Sequence, residues 1–387
     1  MELFCKSVME SFGNTNTEEE VFHDEYRSDF KCYPTMKRRF YLEPKGCPPL
    51  GDIIKQHALP FLPAKSLCRF RAVSKEWNRW ISCPFLAHMQ TIHFKDVSGL
   101  LCQSPGLDPS FISFNPDAYS IPSPSLEFLP ERVRIRVTCN GLVCCQSRYD
   151  EFVYYMCNPV TKDWVVLPEP KLCHTPETAI ALAFNPTTLN FSANYEIVCA
   201  VPVALNGVSA LFFEIYSKSS NSWRVADTVC SELIASSLTR NGFYLKNVVY
   251  WKTSSGAVLA FDLKNEVYGI LSLPYGIESH GALMQMYGEL CYILPEIQDG
   301  ECMLNVYGNM AMNLKCVIPL KSEVVGEKVS YCRVLTCVND DMLIILLPSR
   351  VIGYHVRKQN VELLSEQRTE DFETFLPYIN SLVAVQK

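Results

Sequence analysis

The 387-residue sequence lacks the basic excess of a general nucleic-acid binder. It carries 35 Lys and Arg against 41 Asp and Glu, a formal net charge of -6 at pH 7, whereas nucleic-acid recognition requires a basic surface. It also lacks a membrane-spanning run, since a bilayer needs roughly 20 consecutive apolar residues and Met342–Leu347 is far shorter. We therefore expect no nucleic acid and no membrane among its partners.

A secretion signal is missing too, because Met1–Asn14 contains two Glu and one Lys and no continuous apolar stretch. The 18 cysteines are scattered, and no two have the Cys-x-x-Cys spacing of zinc or thioredoxin sites. Many lie in apolar runs, as Cys144 and Cys145 do, which is typical of reduced thiols in a core. We expect an intracellular protein, in the nucleus, the cytoplasm or both.

Catalytic and metal-site motifs are likewise absent from the sequence. It has no phosphate-binding glycine loop, no Gly-x-Ser-x-Gly elbow and no His-Glu-x-x-His helix. The seven histidines are dispersed, and none forms a metal-spaced pair. We expect no catalytic residue, no metal and no cofactor, although an enzyme whose catalytic groups come from distant segments stays an open alternative.

What is present divides the chain into three stretches. Residues 1–48 show no apolar period, which indicates a flexible extension, and the cluster Lys37–Arg39 is more typical of solvated charge than of a nuclear import signal. Residues 49–91 show helical periodicity, and residues 92–387 show short β-branched and aromatic runs separated by Asn, Gly, Pro and Ser. We predict a small all-α module of three to four short helices followed by an all-β domain.

The helical period is clear from Ala64 onward. Within residues 64–73 the apolar side chains Leu67, Phe70 and Val73 share one side of a helical wheel. The opposite side carries two cations that we expect to be solvated, Lys65 and Arg69.

The flanking segments carry helix boundary signals. Ser74 is placed to cap the next helix, in which Trp77, Trp80 and Ile81 follow i, i+3, i+4 spacing. A proline at position 84 fits the first turn of a further helix, and one at position 60 would end or kink the helix before it. About forty residues can hardly bury these apolar stripes alone, so the module needs the next domain or a partner.

A repeat organises the β region. Each copy ends one strand in an apolar residue, turns through polar residues, and opens the next strand seven positions later with another large apolar residue. The copies begin at six positions: Phe114, Cys157, Tyr216, Phe261, Tyr307 and Tyr354. They are 43 to 47 residues apart except for one gap of 59, which an insertion around residues 186–207 explains. This period predicts a β-propeller of six blades, with five or seven blades or a β-sandwich as alternatives.

Two further features support a closed ring. Gly99–Ser104 resembles Gly141–Ser147, and each precedes its hairpin copy by a similar distance. Ser381–Val385 is predicted to pair with the first blade and close the ring, which would protect the sheet edges. The repeated aromatic residues are expected to form core between blades.

The helical module also resembles a known motif. Leu62–Trp77, which reads LPAKSLCRFRAVSKEW, closely resembles the F-box, and Trp80–Phe85 resembles the end of that motif. The repeat region, with Cys157–Pro159 and Ser381–Val383, resembles the F-box-associated, kelch-like propeller domain of the large plant F-box family.

This resemblance implies a substrate-recognition subunit of an SCF-type cullin–RING E3 ubiquitin ligase, with no catalytic activity of its own. The F-box would dock on a Skp-type adaptor and through it on a cullin, and the propeller would capture an unknown protein for ubiquitination. The residues expected to serve adaptor binding are Leu50, Ile53, Ile54, Leu59, Leu62, Pro63, Leu67, Phe70, Val73 and Trp77. Substrate-binding residues are unknown, and Pro168–Pro176 and Asn185–Asn194 are candidate loops.

The segment Pro49–Phe61 departs from the family pattern. The usual opening of Leu-Pro followed by acidic residues is absent as such. This departure leaves a second hypothesis open, a non-ligase propeller scaffold with a degenerate F-box. A propeller enzyme, with carboxylates or a metal converging at one mouth of the central channel, is the third.

Overall fold

In the computed structural model the described residues are 50–205, 208–233, 238–274, 281–326, 328–367, 369 and 372–385. The expected N-terminal extension and its basic cluster lie outside them. The described part of the chain begins with four helices and one 3-10 turn, followed later by two short helices. These elements are α1 Leu50–His57, the 3-10 turn Leu59–Phe61, α2 Ala64–Phe70, α3 Lys75–Ile81, α4 Pro84–His93, α5 Pro116–Tyr119 and α6 Ser322–Val325.

Local signals explain most of the helix boundaries. The first helix ends at residue 57, before Pro60, whose ring cannot continue a helix. The Ser74 hydroxyl accepts a hydrogen bond from the Trp77 amide at 3.2 Å, which confirms the predicted cap of α3. Pro84 occupies the first turn of α4, as predicted. The helix predicted over residues 64–73 ends instead at Phe70, and Val73 lies in the following turn with 63% of its surface exposed.

The remaining regular structure of the described residues consists of six antiparallel sheets. Their strands are, sheet by sheet, β23 Thr374–Ile379, β1 Val97–Gln103 and β2 Ser110–Ser113; β3 Val133–Cys139, β4 Leu142–Ser147, β5 Tyr154–Asn158 and β6 Asp163–Val166; β7 Ala179–Ala183, β8 Glu196–Leu205, β9 Val208–Ser217 and β10 Ser222–Cys230; β11 Phe243–Leu245, β12 Val248–Lys252, β13 Ala257–Asp262 and β14 Val267–Ser272; β15 Ala282–Met286, β16 Glu289–Gln298, β17 Glu301–Gly308 and β18 Asn313–Leu320; and β19 Arg333–Val338, β20 Met342–Leu347, β21 Arg350–His355 and β22 Asn360–Ser365.

These sheets are the blades of a propeller. Their first strands contact one another in a closed ring, in the order β23, β3, β7, β11, β15, β19 and back to β23. The prediction of six blades is confirmed, and the β-sandwich alternative is wrong. We number the blades 1 to 6 from the sheet that contains β1.

The predicted hairpins are confirmed in blades 2 to 6. In each, the two apolar residues that define the repeat lie opposite each other on the third and fourth strands: Cys157 and Trp164, Tyr216 and Trp223, Phe261 and Tyr268, Tyr307 and Leu314, and Tyr354 and Val361. The aromatic positions pack between blades, as expected. Phe261 of blade 4 stacks on Phe213 of blade 3 with ring centroids 4.1 Å apart.

The first copy of the repeat was predicted incorrectly. Phe114 follows β2, but no fourth strand of blade 1 opens at residue 121. The carboxamide of Asn115 instead accepts hydrogen bonds from the amides of Asp117 and Ala118 and caps α5. The Asn-Pro pair that begins a hairpin at residue 158 therefore begins a helix here.

Ring closure is confirmed, but through a different segment from the one predicted. The closing strand is β23, which pairs with β1 and places Leu376 opposite Leu101. Ser381–Val385 lies beyond this strand and forms no regular structure. The similarity between residues 99–104 and 141–147 is borne out, since β1 and β4 are the second strands of neighbouring blades.

The helical module α1–α4 lies against one face of the propeller. Because the strands alternate in direction, the turns between first and second and between third and fourth strands share one face, here called the proximal face. On it, the Lys65 ammonium donates to the carbonyl oxygen of Pro116 at 2.6 Å, and Arg69 donates to that of Asp117 at 3.1 Å. The expectation that both cations are merely solvated was therefore wrong. The opposite face is called the distal face.

Residues Asn380–Val385, here called the strap, run between the helical module and the proximal face. The Leu382 side chain packs in the module's core with Leu59, Leu67 and Leu86. Val383 and Val385 pack in the core of blades 2 and 3. One short segment therefore contributes to both cores.

Candidate functional site

The first helix presents an apolar face to solvent. None of its residues is buried; Leu50 is 72% and Ile53 37% exposed. Val73, in the turn after α2, is a third exposed member of the expected adaptor set. Exposed aliphatic side chains on a small helical unit that is otherwise well packed are typical of a contact surface.

Other members of that set are structural. Leu59 and Leu67 are almost fully buried, at 1% and 0% exposure. The Pro63 carbonyl accepts the first helical hydrogen bond of α2, from the Leu67 amide at 3.1 Å. The half-buried members, which pack on this core while keeping part of their surface open, are Ile54, Leu62, Phe70 and Trp77.

An aromatic cluster joins the module's helices. The rings of Phe70 and Trp77 meet edge to face at 5.5 Å, and the Trp77 and Trp80 centroids lie 6.0 Å apart. The Lys55 ammonium of α1 lies 3.7 Å from the Trp80 ring centroid, a cation–π contact that holds α1 against α3. The cluster fixes the direction in which the exposed face of α1 points.

Two exposed apolar residues of the module were not predicted. Phe61 is 52% exposed in the 3-10 turn, and Phe85 is 60% exposed in the first turn of α4. Helical periodicity places Phe85 at the start of an apolar stripe, but it does not show that this residue faces solvent. Both residues add exposed apolar area to the helical module.

The module is basic, unlike the whole chain. Residues 50–93 contain six Lys or Arg and two Asp or Glu, a formal net charge of +4 without histidines. Since Lys65 and Arg69 already contact the propeller, the remaining cations on α1, α3 and the turn after α2 set the field of the open surface. That field favours an acidic partner.

The candidate loop Pro168–Pro176 joins β6 to β7 and lies on the distal face. The buried carboxylate of Glu214 accepts hydrogen bonds from the amides of Lys171 at 2.7 Å and Leu172 at 3.1 Å. His174, also fully buried, has Nε2 3.0 Å from this carboxylate and Nδ1 3.0 Å from the Tyr154 hydroxyl. With Nε2 donating to the carboxylate, Nδ1 accepts from the tyrosine, so every polar group is satisfied.

Two more side chains hold the ends of this loop. The Trp223 indole donates to the Pro168 carbonyl at 2.7 Å, and the buried Arg136 guanidinium donates to the carbonyl of Thr178 at 2.5 Å. The loop is thus rigid although it has no regular secondary structure. Glu169, Lys171 and Cys173 remain exposed on it.

Charged groups cross the distal mouth of the central channel. Arg240 precedes β11, Glu177 precedes β7 and Glu373 precedes β23. The Arg240 guanidinium reaches Glu177 at 2.5 Å and Glu373 at 3.1 Å. Because β11 and β23 lie on opposite sides of the ring, the second pair spans the channel. Carboxylates are present at this mouth, but the two in this bridge are each paired with the arginine.

The second candidate loop, Asn185–Asn194, lies on the proximal face instead. It contacts the helical module, since the Phe191 ring centroid is 5.0 Å from that of His88 on α4. Beside it is a polar groove of about 290 Å³ between blades 3 and 4. The groove is lined mainly by amide, hydroxyl and carboxyl side chains, among them Asn185, Asn190, Asn194, Glu196, Ser217, Ser219, Tyr244 and Asn247.

The thiols belong to the core. The fifteen described cysteines are all free, and most are buried. Burial raises the pKa of Cys144 to about 12 and that of Cys145 well above its usual range, so neither is an activated nucleophile at neutral pH. Within the described ranges, no three His, Cys, Asp or Glu residues are grouped so as to hold a metal ion. In the same ranges no helix has the length and apolar character required to cross a membrane.

The comparisons with known proteins agree with the propeller geometry. Residues 112–299 match the family model described as the F-box associated beta propeller domain. That stretch runs from β2 into the turn that follows β16, and so covers blades 2 to 4 and the first two strands of blade 5.

Three similar relatives come from Arabidopsis thaliana. F-box protein At5g49610 is 29% identical over 58% of this chain and 64% of its own length. F-box protein At5g07610 is 28% identical over 58% and 56%, and putative F-box/kelch-repeat protein At1g15680 is 23% identical over 55% and 55%. The chain therefore spans less than two thirds of the length of these relatives.

Proposed function

We propose that this chain, a plant F-box protein with an F-box-associated β-propeller, is the substrate-recognition subunit of an SCF-type cullin–RING E3 ubiquitin ligase. Its F-box module docks on a Skp-type adaptor, and through the adaptor on a cullin. Its propeller holds a target protein for ubiquitination. It works in the nucleus, the cytoplasm or both, and as a receptor it contributes no catalytic residue.

The observation that carries this proposal is the apolar face of α1. Leu50 and Ile53 are exposed on a helix whose orientation is fixed by Lys55 and the aromatic cluster. Full burial of each of these two aliphatic side chains at an interface would contribute about 1.5–3 kcal/mol to the free energy of binding. The unusual opening of the motif therefore leaves a well-formed apolar helix available to a partner, which weighs against a degenerate F-box.

The target is best placed on the distal face. The F-box module covers part of the proximal face, whereas the rigid loop Pro168–Pro176 and the Arg240 bridge lie at the other side. Loops held by a rigid scaffold often carry binding residues, and a loop fixed by buried hydrogen bonds binds without a large ordering cost.

Binding to a purified Skp-type adaptor tests the proposal. The full chain should bind with a dissociation constant below micromolar, and Leu50→Asp/Ile53→Asp should abolish binding because two charges would be buried at the contact. Leu107→Asp is the matched control, since Leu107 is 63% exposed on the distal face. Leu62→Ala/Pro63→Ala tests the core of the motif.

The alternatives make different predictions in the same assay. The wild-type chain would be a non-ligase scaffold if it did not bind the adaptor at micromolar concentration while its propeller still bound a protein partner. Equal loss of binding in Leu107→Asp and in the α1 double variant would show that α1 is not the contact surface.

A further inference from the structure

We propose that Gln90 and the strap set the orientation of the F-box module on the propeller, and that this orientation governs how efficiently a bound target receives ubiquitin. The second half of the proposal rests on the function proposed above. The first half concerns this chain alone and can be tested without any partner.

Gln90 joins three segments through one side chain. It lies on α4 and is fully buried. Its Nε2 donates to the carbonyl oxygens of Leu62 at 3.2 Å and Asn380 at 3.1 Å, while its Oε1 accepts from the Leu382 amide at 2.9 Å. The carboxamide therefore connects α4, the segment that leads into α2, and two points of the strap.

The propeller holds the other side of the strap. Nδ2 of Asn158, in the third strand of blade 2, donates to the carbonyls of Ser381 and Val383, each at 2.9 Å. The Ser381 hydroxyl lies 3.0 Å from that of Thr91 on α4. Gly141, in the β3–β4 turn, lies against Ser381, since a Cβ built at residue 141 would meet the Ser381 Cβ at 2.4 Å.

Two successive side chains of the strap enter different bodies. Leu382 enters the core of the helical module, and Val383 enters the core of blades 2 and 3. Alternation of this kind follows from an extended backbone, in which successive side chains point to opposite sides. The strap is therefore a layer between the module and the propeller and belongs to both.

Hydrogen bonds give this layer a defined geometry. An apolar contact alone tolerates sliding, because hydrophobic attraction has no direction. The buried amides of Gln90 and Asn158 have fixed donor and acceptor directions, and leaving any of them unpaired is costly. We infer that these two side chains select one orientation of the module.

Orientation matters because the two functional surfaces face away from each other. The F-box module lies on the proximal face of the propeller, and the expected target surface is its distal face. A small rotation of the module relative to the propeller at the strap would therefore displace a bound target by a large distance. Transfer of ubiquitin depends on the position of the target lysine, since reacting groups must be held in a productive geometry.

Gln90→Leu is the informative variant, and Gln103→Leu is its matched control. Gln103 is also buried and also makes three hydrogen bonds, to the Leu107 and Val133 carbonyls and from the Ile135 amide, each at 2.9 Å. Its bonds lie within the propeller, one inside blade 1 and two between blades 1 and 2. The two variants thus lose equal numbers of hydrogen bonds at different places.

The first readout is the distance between dyes placed at Glu76 of α3 and Tyr149 of the distal face, both exposed. Dyes are attached through unnatural amino acids so that the cysteines are not labelled. We expect wild type and Gln103→Leu to show one narrow distance distribution and Gln90→Leu a broadened or shifted one. A Gln90→Leu distribution equal to wild type would overturn the proposal.

The second readout separates this proposal from the receptor function. A lysine-containing peptide inserted after Leu107 serves as a tethered distal substrate for the reconstituted ligase. We expect Gln90→Leu to bind the adaptor as wild type does and to lose ubiquitin transfer to the peptide. If Gln90→Leu bound the adaptor and transferred ubiquitin to the peptide as well as wild type does, the claim that orientation governs transfer would be refuted. If wild type did not bind the adaptor, the receptor function would be refuted and the distance test would remain valid. If Gln90→Leu does not fold, Gln90→Glu takes its place: it keeps the acceptor for the Leu382 amide but sets an oxygen against the carbonyls of Leu62 and Asn380, so its distance distribution should also be broader than that of wild type, and an equal distribution would overturn the proposal.

Discussion

Replacing Gly141 by Ala should cost far more stability than the same change at Gly288. Both glycines are the second residue of a two-residue turn between the first and second strands of a blade, with φ of +91° and +72°. An alanine at either position must adopt a left-handed backbone, which costs about 1–2 kcal/mol. No atom lies within 4 Å of a Cβ built at residue 288, so the only loss of stability expected there is that of the left-handed backbone.

At residue 141 a second cost is added. The new methyl group would lie 2.4 Å from the Ser381 Cβ and 3.3 Å from the Ile379 carbonyl oxygen, so the strap must shift. Forcing an extra methyl into a packed site costs typically about 1–3 kcal/mol. We therefore expect Gly141→Ala to lower the free energy of unfolding by about 2–5 kcal/mol and Gly288→Ala by about 1–2 kcal/mol.

Urea unfolding of the full chain, followed by tryptophan fluorescence, measures both changes. Ser381→Gly removes the Cβ that the new methyl group meets, so the double variant should recover part of the loss relative to the sum of the single variants. Equal destabilisation by the two Gly→Ala changes, or strict additivity with Ser381→Gly, would show that residue 141 does not press on the strap.

Three further predictions concern other parts of the molecule. Leu382→Ala should destabilise the chain by about 2–5 kcal/mol in the same unfolding assay, because it opens a cavity in the core of the helical module; a change below about 0.5 kcal/mol, typical of a surface site, would contradict this packing. Arg240→Ala should change stability by less than about 1 kcal/mol, since the ion pairs at the channel mouth are exposed, and a larger loss would mean that the bridge holds the ring together. Among the fifteen described cysteines, alkylation of the native protein at pH 8, read by mass spectrometry, should modify Cys173 and Cys316 first and leave Cys144 intact, because burial raises the pKa of Cys144 to about 12; early loss of Cys144 would show that its strand opens readily.

The repeat could be predicted because blade hairpins leave a local signal. A strand, a turn and a returning strand occupy about ten residues, so the pairing of Tyr216 with Trp223 is visible as a spacing along the chain. Five copies of that spacing mark blades 2 to 6, and their regular period implies a ring. Helix caps such as Ser74 are equally local and were predicted for the same reason.

The joint between the two bodies could not be predicted, because it depends on contacts between distant residues. Gln90 and Asn380 are 290 positions apart, and nothing near either residue indicates the other. Residues 381–385 were predicted to close the ring as a strand, but β23 closes it, and residues 381–385 form a layer between two cores instead. Lys65 and Arg69 were misjudged likewise, since their partners are carbonyl groups of α5, which took the place of the expected hairpin.

The expected adaptor residues divide according to packing that the sequence pattern does not reveal. Leu50 and Leu67 are both apolar positions of a helix, but one is 72% exposed and the other fully buried. The difference arises because α2 packs on α3, α4 and the strap, whereas α1 packs on one side only.

The most direct test of the account is the affinity of the full chain for a purified Skp-type adaptor, measured beside Leu50→Asp/Ile53→Asp and Leu107→Asp. The account predicts that wild type and Leu107→Asp bind with equal affinity below micromolar and that the α1 double variant does not bind. Absence of binding by the wild-type chain at micromolar concentration would contradict it.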